Sequence, residues 1–220
     1  QIPLDAPPPV AQLQTEIRIT GVNIIDPQNG QTTPDQTVLI ANGKIQYVGS
    51  ADTAPVSQNA LSINGKDKYL LPALWDMHVH TISLSPQLHF PLLIANGVTH
   101  IRDMGDGCSF QSGFDCVSLT QRWRDEISAG KMLGPVIHQS AHYHIEDLGE
   151  DANTTELIQT RAKEIVTRLK QRGDELIKLQ LSPTTKPENF YALLSAARDQ
   201  QLAVVGHLPY TVDLLSTQAN

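Results

Sequence analysis

The sequence predicts an α/β protein: an incomplete (β/α)8 barrel of the TIM type, preceded by part of a small β-sheet domain. Three observations predict this fold. Short runs of alternating apolar residues, typical of strands, dominate residues 16–63. After Gly65 strand, loop and helix patterns repeat about every 30 residues, as in parallel sheets and barrels. Residues 69–220 number only 152, which is enough for about five of the eight units of a barrel.

A doubly wound parallel sheet is the alternative, because such a sheet would be complete at this length. No strand is followed by Gly-x-Gly-x-x-Gly or Gly-x-x-x-x-Gly-Lys-Ser/Thr, so neither nucleotide-binding fingerprint supports it. The barrel interpretation divides the chain into three parts. They are an extended segment (1–15), the N-terminal part of a β-domain (16–65) and the first five βα units of a truncated barrel (66–220).

Individual elements follow from local signals. Asn42-Gly43 between two apolar runs predicts a hairpin, because both residues accept the positive φ of a type I′ turn. Asn153 with Glu156 resembles a capping box and predicts a helix start, and Pro187 opens another helix. The barrel part is predicted to have strands at 70–80, 98–104, 135–141, 176–181 and 202–208, and helices at 87–96, 118–128, 153–172 and from 187.

Charge and hydropathy exclude two classes of partner. The chain has 16 Lys and Arg against 23 Asp and Glu, a net charge of −7, and it has no basic run. Nucleic acid is therefore not expected to bind. No apolar run approaches the ~20 residues that a bilayer crossing needs, which predicts a soluble protein with no membrane span.

The N-terminus and the cysteines slightly favour an exported protein, periplasmic or secreted. The first residues lack an initiator Met and an apolar h-region, which suits a mature N-terminus and equally an arbitrary boundary. Cys108 and Cys116 lie in a Gly-rich stretch where a disulfide would add about 2.5 kcal/mol. Two free thiols on a loop of a cytoplasmic protein are the alternative.

His78 and His80 are the first candidate metal ligands. They stand at the end of a predicted strand, where side chains two residues apart point to the same side. Both imidazoles can therefore reach one metal ion. The chain has 8 histidines and chance predicts about 0.3 His-x-His pairs, so this pair gains its weight from its place at the mouth of a barrel. Hydrogen-bonded core histidines are the alternative.

Two later strands each add one candidate. Lys178 lies in the middle of an apolar strand, where a lysine is costly unless it is paired, neutral or chemically modified. A salt bridge to Asp174 or Glu175 is the alternative explanation. His207 lies near the end of the following strand, where a helix N-cap contact is the alternative.

These residues in this order resemble the metal-dependent amidohydrolase superfamily, whose (β/α)8 barrel carries a composite β-domain built from both ends of the chain. The resemblance covers residues 16–220 and is strongest to the branch of Xaa-Pro dipeptidases and imidazolonepropionase-like enzymes. It is carried by the Asn42-Gly43-Lys44-Ile45 hairpin, the Asp76-Met77-His78-Val79-His80 strand, Val98 to Gly105, Lys178 and Gly206-His207.

The resemblance implies a dinuclear hydrolase. His78 and His80 would bind one divalent ion, Lys178 carboxylated by CO2 would bridge two ions, and His207 would bind the second. The expected ions are two Zn2+, and a metal-activated hydroxide would cleave a C–N amide bond of a short peptide or cyclic amide. The ligand His of strand six and the catalytic Asp of strand eight are expected beyond Asn220, so this chain alone is expected to be inactive and to need the missing half of the barrel.

Three further predictions concern two histidines after the third strand, an Arg-Asp pair, and the alternative function. His142 and His144 follow the third strand, and His144 is a candidate substrate contact; a solvated loop is the alternative. Arg102 and Asp103 are expected to be structural. A noncatalytic barrel fragment or binding module that retains metal-like residues is the alternative function. Homo-oligomer formation is left open.

Overall fold

The computed structural model describes residues 16–56, 59–81, 84–105, 116–144, 148, 153–180 and 185–213; of 116–118 and 142–144 only the backbone is described. The chain divides into two compact units between Ala73 and Leu74. No helix in the described ranges has both the length and the apolar character that a membrane crossing needs.

The first unit contains a five-stranded sheet. A central strand, β1, pairs with β2 on one side and with β4 and β5 on the other, and β3 lies beyond β2. The Asn42-Gly43 turn between β2 and β3 has φ values of 52° and 70°, which confirms the predicted hairpin. The strands are β1 (Glu16–Ile25), β2 (Thr32–Ala41), β3 (Lys44–Gly49), β4 (Leu61–Asn64) and β5 (Tyr69–Leu70).

This sheet is mixed, although the Asn42-Gly43 hairpin by itself indicates only antiparallel pairing. The pairs β1–β2 and β2–β3 are antiparallel, but β4 and β5 run parallel to β1. The predicted first barrel strand is also shorter than expected. Tyr69–Leu70 pairs with Asn23 and Ile24 in the first unit, and Pro72 separates it from the next strand because it has no N–H for a ladder.

The second unit alternates strands and helices as predicted. Its strands are β6 (Leu74–Val79), β7 (Val98–Asp103), β8 (Val136–His138), β9 (Ser140–His144), β10 (Leu176–Gln180) and β11 (Ala203–Gly206). Its helices are α1 (Pro86–Ala95), α2 (Cys116–Ser128), α3 (Thr155–Gln171) and α4 (Pro187–Asp199). The α3 cap is Thr154, whose hydroxyl accepts from the Leu157 N–H; this corrects the prediction of Asn153 as the cap.

All strand pairs of the second unit are parallel. They form two three-stranded sheets in the orders β6-β7-β8 and β9-β10-β11. Gln139 alone separates β8 from β9, so one extended run of chain contributes to both sheets. The mixed α/β class is therefore confirmed.

Alternation along the strands separates two faces. One face is apolar and packs on the helices; its members Ile101, Ile137, Ile177 and Leu179 are 0–1% exposed. Burial of such faces is the main source of stability in an α/β unit. The opposite face of the same strands carries polar side chains instead, His100, Arg102, His138 and Lys178, and every candidate for chemistry in these strands belongs to this face.

Candidate metal centre

His78 and His80 lie together at the carboxyl end of β6. Their ring centres are 5.3 Å apart and both side chains are exposed. The pairing of β6 with β7 shifts register between Asp76 and Val79, and the His78 N–H donates to an Asp76 carboxylate oxygen at 3.0 Å. This local bond replaces a ladder bond where the strand ends, and it fixes the backbone from which His78 projects.

The orientation of His80 is set by a short chain of contacts from the end of β7. Its Nδ1 donates to the Gly105 carbonyl oxygen, so in the neutral ring the lone pair is on Nε2. The Asp103 carboxylate is 5% exposed and accepts the N–H groups of Thr81 and Gly105, both at 3.2 Å. A backbone carbonyl behind one ring nitrogen is the usual support of a metal-binding histidine.

Lys178 is buried in β10, with 3% of its surface exposed. No carboxylate among the described residues forms a salt bridge with it. Glu175 instead binds Arg124 and His138, and Asp174 binds Arg172 and Gln139. The alternative explanation of Lys178 as a partner of Asp174 or Glu175 is therefore wrong.

Burial and the nearby Arg102 guanidinium both lower the pKa of Lys178, which favours the neutral amine. The pKa of His78 is lowered by desolvation of its ring and then by the positive charges of Lys178, His80 and Arg102, against the opposing effect of Asp76. Lys178 therefore lies close enough to His78 to act on it electrostatically. Metal binding needs these groups deprotonated, so both shifts favour it.

Arg102 is a site residue that sequence reasoning treated only as structural. Its Nε donates to the Met77 carbonyl oxygen at 2.9 Å, beside His78. The guanidinium is thus held at the end of β6, where its positive charge acts on both His78 and Lys178. Its place on the polar face of a strand, three residues before Gly105, gave only a weak signal.

His207 follows β11 directly. Its N–H donates to the carbonyl oxygen of Leu179, the residue after Lys178, at 3.3 Å. The imidazole is exposed. In the described ranges no three His, Cys, Asp or Glu side chains are grouped to hold a metal ion, so His207 is not gathered with His78 and His80.

The residues that could hold a metal are therefore His78, His80 and Lys178, with His207 beside the next strand. Imidazole nitrogens suit a divalent ion, and a neutral buried amine suits carboxylation. For His144 only the backbone in β9 is described, so its substrate contact stays a prediction. Cys108 and the side chain of Cys116 lie outside the described residues, and so does the predicted disulfide.

Comparison with known proteins finds amidohydrolases among the proteins that this chain resembles. The chain is 36% identical over 64 residues to an imidazolonepropionase from Idiomarina loihiensis, a match that covers 29% of this chain and 16% of that protein. No family model matches the chain.

Solved structures match most of the chain. A candidate prolidase from Bifidobacterium longum is 22% identical with a TM-score of 0.64, covering 89% of this chain and 50% of that one. A Xaa-Pro dipeptidase with methionine bound in its active site is 21% identical with a TM-score of 0.59, covering 87% and 56%. The bottromycin amidohydrolase is 20% identical with a TM-score of 0.64, covering 92% and 41%.

The names of the matched proteins indicate one class of enzyme, the amidohydrolases. The chain has a mixed α/β fold similar to that of these solved structures, and its resemblance to the amidohydrolase superfamily is confirmed. The chain spans about half the length of the solved structures it matches and a smaller part of the imidazolonepropionase.

Proposed function

We propose that the whole protein is a metal-dependent amidohydrolase that cleaves a C–N amide bond in a short peptide or a cyclic amide. One observation carries the proposal: His78 and His80 end a parallel strand beside a buried Lys178 that no described carboxylate neutralises. Hydrolase neighbours with dipeptidase and amidohydrolase names support the reaction class.

The proposed activity requires a complete barrel, of which this chain would supply only a part. We infer that β6, β7, β8 with β9, β10 and β11 are the first five strands of an eight-stranded barrel. The parallel order and the single residue between β8 and β9 support this count. A further His ligand and a proton-transferring Asp are expected on the remaining strands.

Each residue then has a role. His78 and His80 would hold one divalent ion, with Zn2+ expected; Lys178, carboxylated to a carbamate, would be the ligand shared by two ions, and His207 would hold the second. Bound divalent ions supply Lewis acidity and lower the pKa of water to near neutral. The lowered pKa of Lys178 favours the neutral amine, which is the form that adds to CO2.

The remaining contacts position these ligands. Asp103 and Gly105 hold His80 in one tautomer. Arg102 fixes the Met77 carbonyl beside His78 and places a cation where a carbamate anion on Lys178 would need one. A carbamate on Lys178 would be a buried anion, and Arg102 would be its cationic partner.

The test is Lys178→Ala in the full-length protein, assayed with dipeptides and cyclic amides. We expect loss of hydrolysis and of bound metal, with partial rescue by short carboxylic acids that occupy the place of the carbamate. Lys163→Ala, on the exposed face of α3, is the matched control and should change neither. Unchanged activity in Lys178→Ala would refute the bridging role.

A further inference from the structure

A cluster of aromatic and charged side chains lies on the polar face of the strands, below the candidate metal centre. We call it the histidine clamp; it consists of Trp75, His100, His138, Glu175 and Arg124. None of these residues has a role in the proposed hydrolysis. They come from β6, β7, β8, the residue before β10, and α2, so the clamp connects elements that are distant in sequence.

The centre of the clamp is a direct imidazole–imidazole hydrogen bond. His100 Nδ1 and His138 Nε2 are 3.1 Å apart, the ring centres are 5.4 Å apart, and the planes differ by 22°. The ring centres are farther apart than the two nitrogens by about one imidazole radius for each ring. Both nitrogens therefore lie near the line that joins the ring centres. In this geometry the two nitrogens face each other, which suits a proton shared between them. Two imidazoles that bind one metal ion would instead direct both lone pairs at a third point away from that line.

Trp75 covers this bond. Its ring centre is 4.4 Å from that of His100 and 4.6 Å from that of His138, at interplanar angles of 5° and 20°. These distances place the indole over the middle of the pair, stacked on both imidazoles. An indole face in this position stabilises a positive charge on the pair and shields its hydrogen bond from water.

Glu175 anchors the other end of the chain. One carboxylate oxygen contacts His138 Nδ1 at 2.7 Å, and the other binds the Arg124 guanidinium at 2.6 Å. The Glu175 N–H donates to the Gln139 carbonyl oxygen at 3.0 Å, which ties the start of β10 to the junction of β8 and β9. Because a carboxylate only accepts, His138 Nδ1 must carry a proton.

Counting the protons defines three states. In the neutral pair, His138 Nε2 is a lone pair and accepts the Nδ1–H of His100. One added proton enters at His100 Nε2; the proton between the rings can then be on either nitrogen, so the bond persists between the same atoms. A second added proton leaves two N–H groups facing each other at 3.1 Å, with no acceptor between them.

We propose that His100 and His138 form an acid-sensitive clamp across β6, β7, β8 and β10, closed while the pair holds at most one extra proton and broken when both rings are protonated. This inference concerns the fold of the second unit and does not depend on the proposed metal chemistry. Because Trp75 lies three residues before His78, and Glu175 three before Lys178, opening the clamp would also disturb the strands that carry these residues.

The charges around the pair agree with this behaviour. Glu175 is the anion that faces it, with Arg124 behind; Arg102 lies two residues further along β7, and Asp174 is occupied by Arg172 and Gln139. Desolvation lowers the pKa of His100, and the neighbouring His138 lowers it further. The unfolded chain therefore takes up this proton first, so folding stability should fall as pH drops below the ordinary value of 6.5.

The test follows Trp75 by 19F NMR in the full-length protein labelled with 5-fluorotryptophan, with Trp75→Phe assigning its signal. We expect an acid step in the Trp75 resonance below about pH 6.5, accompanied by weaker folding, by up to tenfold in the folding equilibrium constant per pH unit. His100→Gln, which keeps a hydrogen-bonding partner for His138, should abolish the acid step in the Trp75 resonance and reduce the acid loss of folding stability, part of which belongs to His78. His89→Gln, on α1, should abolish neither.

An acid step that persists in His100→Gln, or a Trp75 resonance that does not respond to pH, would overturn the proposal. If His100→Gln does not fold, His138→Gln removes the other half of the pair and gives the same readout. Because no measurement involves metal or hydrolysis, a failure here leaves the proposed function standing.

Discussion

Gly206 approaches Leu179 so closely that a Cβ on residue 206 would lie 2.3 Å from the Leu179 carbonyl oxygen. Its φ of +127° is also outside the range that other residues adopt readily. The same carbonyl accepts the N–H of His207. Glycine is therefore required at position 206 for the end of β11 to pack closely against β10. This close packing places the His207 backbone beside Leu179, the residue after Lys178.

Gly206→Ala should lower the free energy of unfolding by about 3 kcal/mol, because the clash is with backbone and the φ is strained. Chemical denaturation measures this. Gly173→Ala is the matched control: its φ is +89°, but no heavy atom lies within 4 Å of the added Cβ. It should cost only about 1 kcal/mol. Equal losses in the two variants would mean that the close approach to Leu179 does not matter.

Asp103→Ala should loosen the loop that orients His80. The buried carboxylate accepts the N–H groups of Thr81 and Gly105, so its loss should cost about 2 kcal/mol of stability. Metal affinity should fall about 10- to 100-fold, as for other residues behind a ligand. Titration calorimetry of the apo-protein with Zn2+ measures the affinity. Asp125→Ala, on the exposed surface of α2, should change neither quantity; an unaltered affinity in Asp103→Ala would contradict the positioning role.

Arg102→Gln should shift the pH dependence of metal binding. The guanidinium lowers the pKa of Lys178, second to burial, and contributes to the lowered pKa of His78. Without this cation both groups hold their protons to higher pH, so the acid limb of Zn2+ uptake should move to higher pH. Metal uptake measured across a pH series checks this. Arg122→Gln, from an exposed pair with Glu126, should leave the curve in place; the same curve for Arg102→Gln would refute the electrostatic role.

Local signals predicted the parts of the structure that depend on local chemistry. Asn42-Gly43 determined a hairpin through its backbone preferences, and the His78-Val79-His80 alternation placed two imidazoles together. The burial of Lys178 followed from the apolar residues around it.

Features that depend on pairing between distant segments escaped prediction. β4 and β5 run parallel to β1 because of sheet packing, which no local motif records. His100 and His138 are 38 residues apart and meet only because β7 pairs with β8. The support of His80 by Gly105 likewise depends on the parallel ends of β6 and β7 lying side by side.

The central claim is that His78, His80 and Lys178 bind divalent metal for hydrolysis. Elemental analysis by mass spectrometry of the purified full-length protein tests it most directly, beside His78→Asn/His80→Asn and the control His89→Gln. The account predicts about two divalent ions per chain in the wild type and in His89→Gln, with loss of metal and of amide hydrolysis in the double variant. A well-folded protein that takes up no metal, or a double variant that retains its metal, would contradict the account.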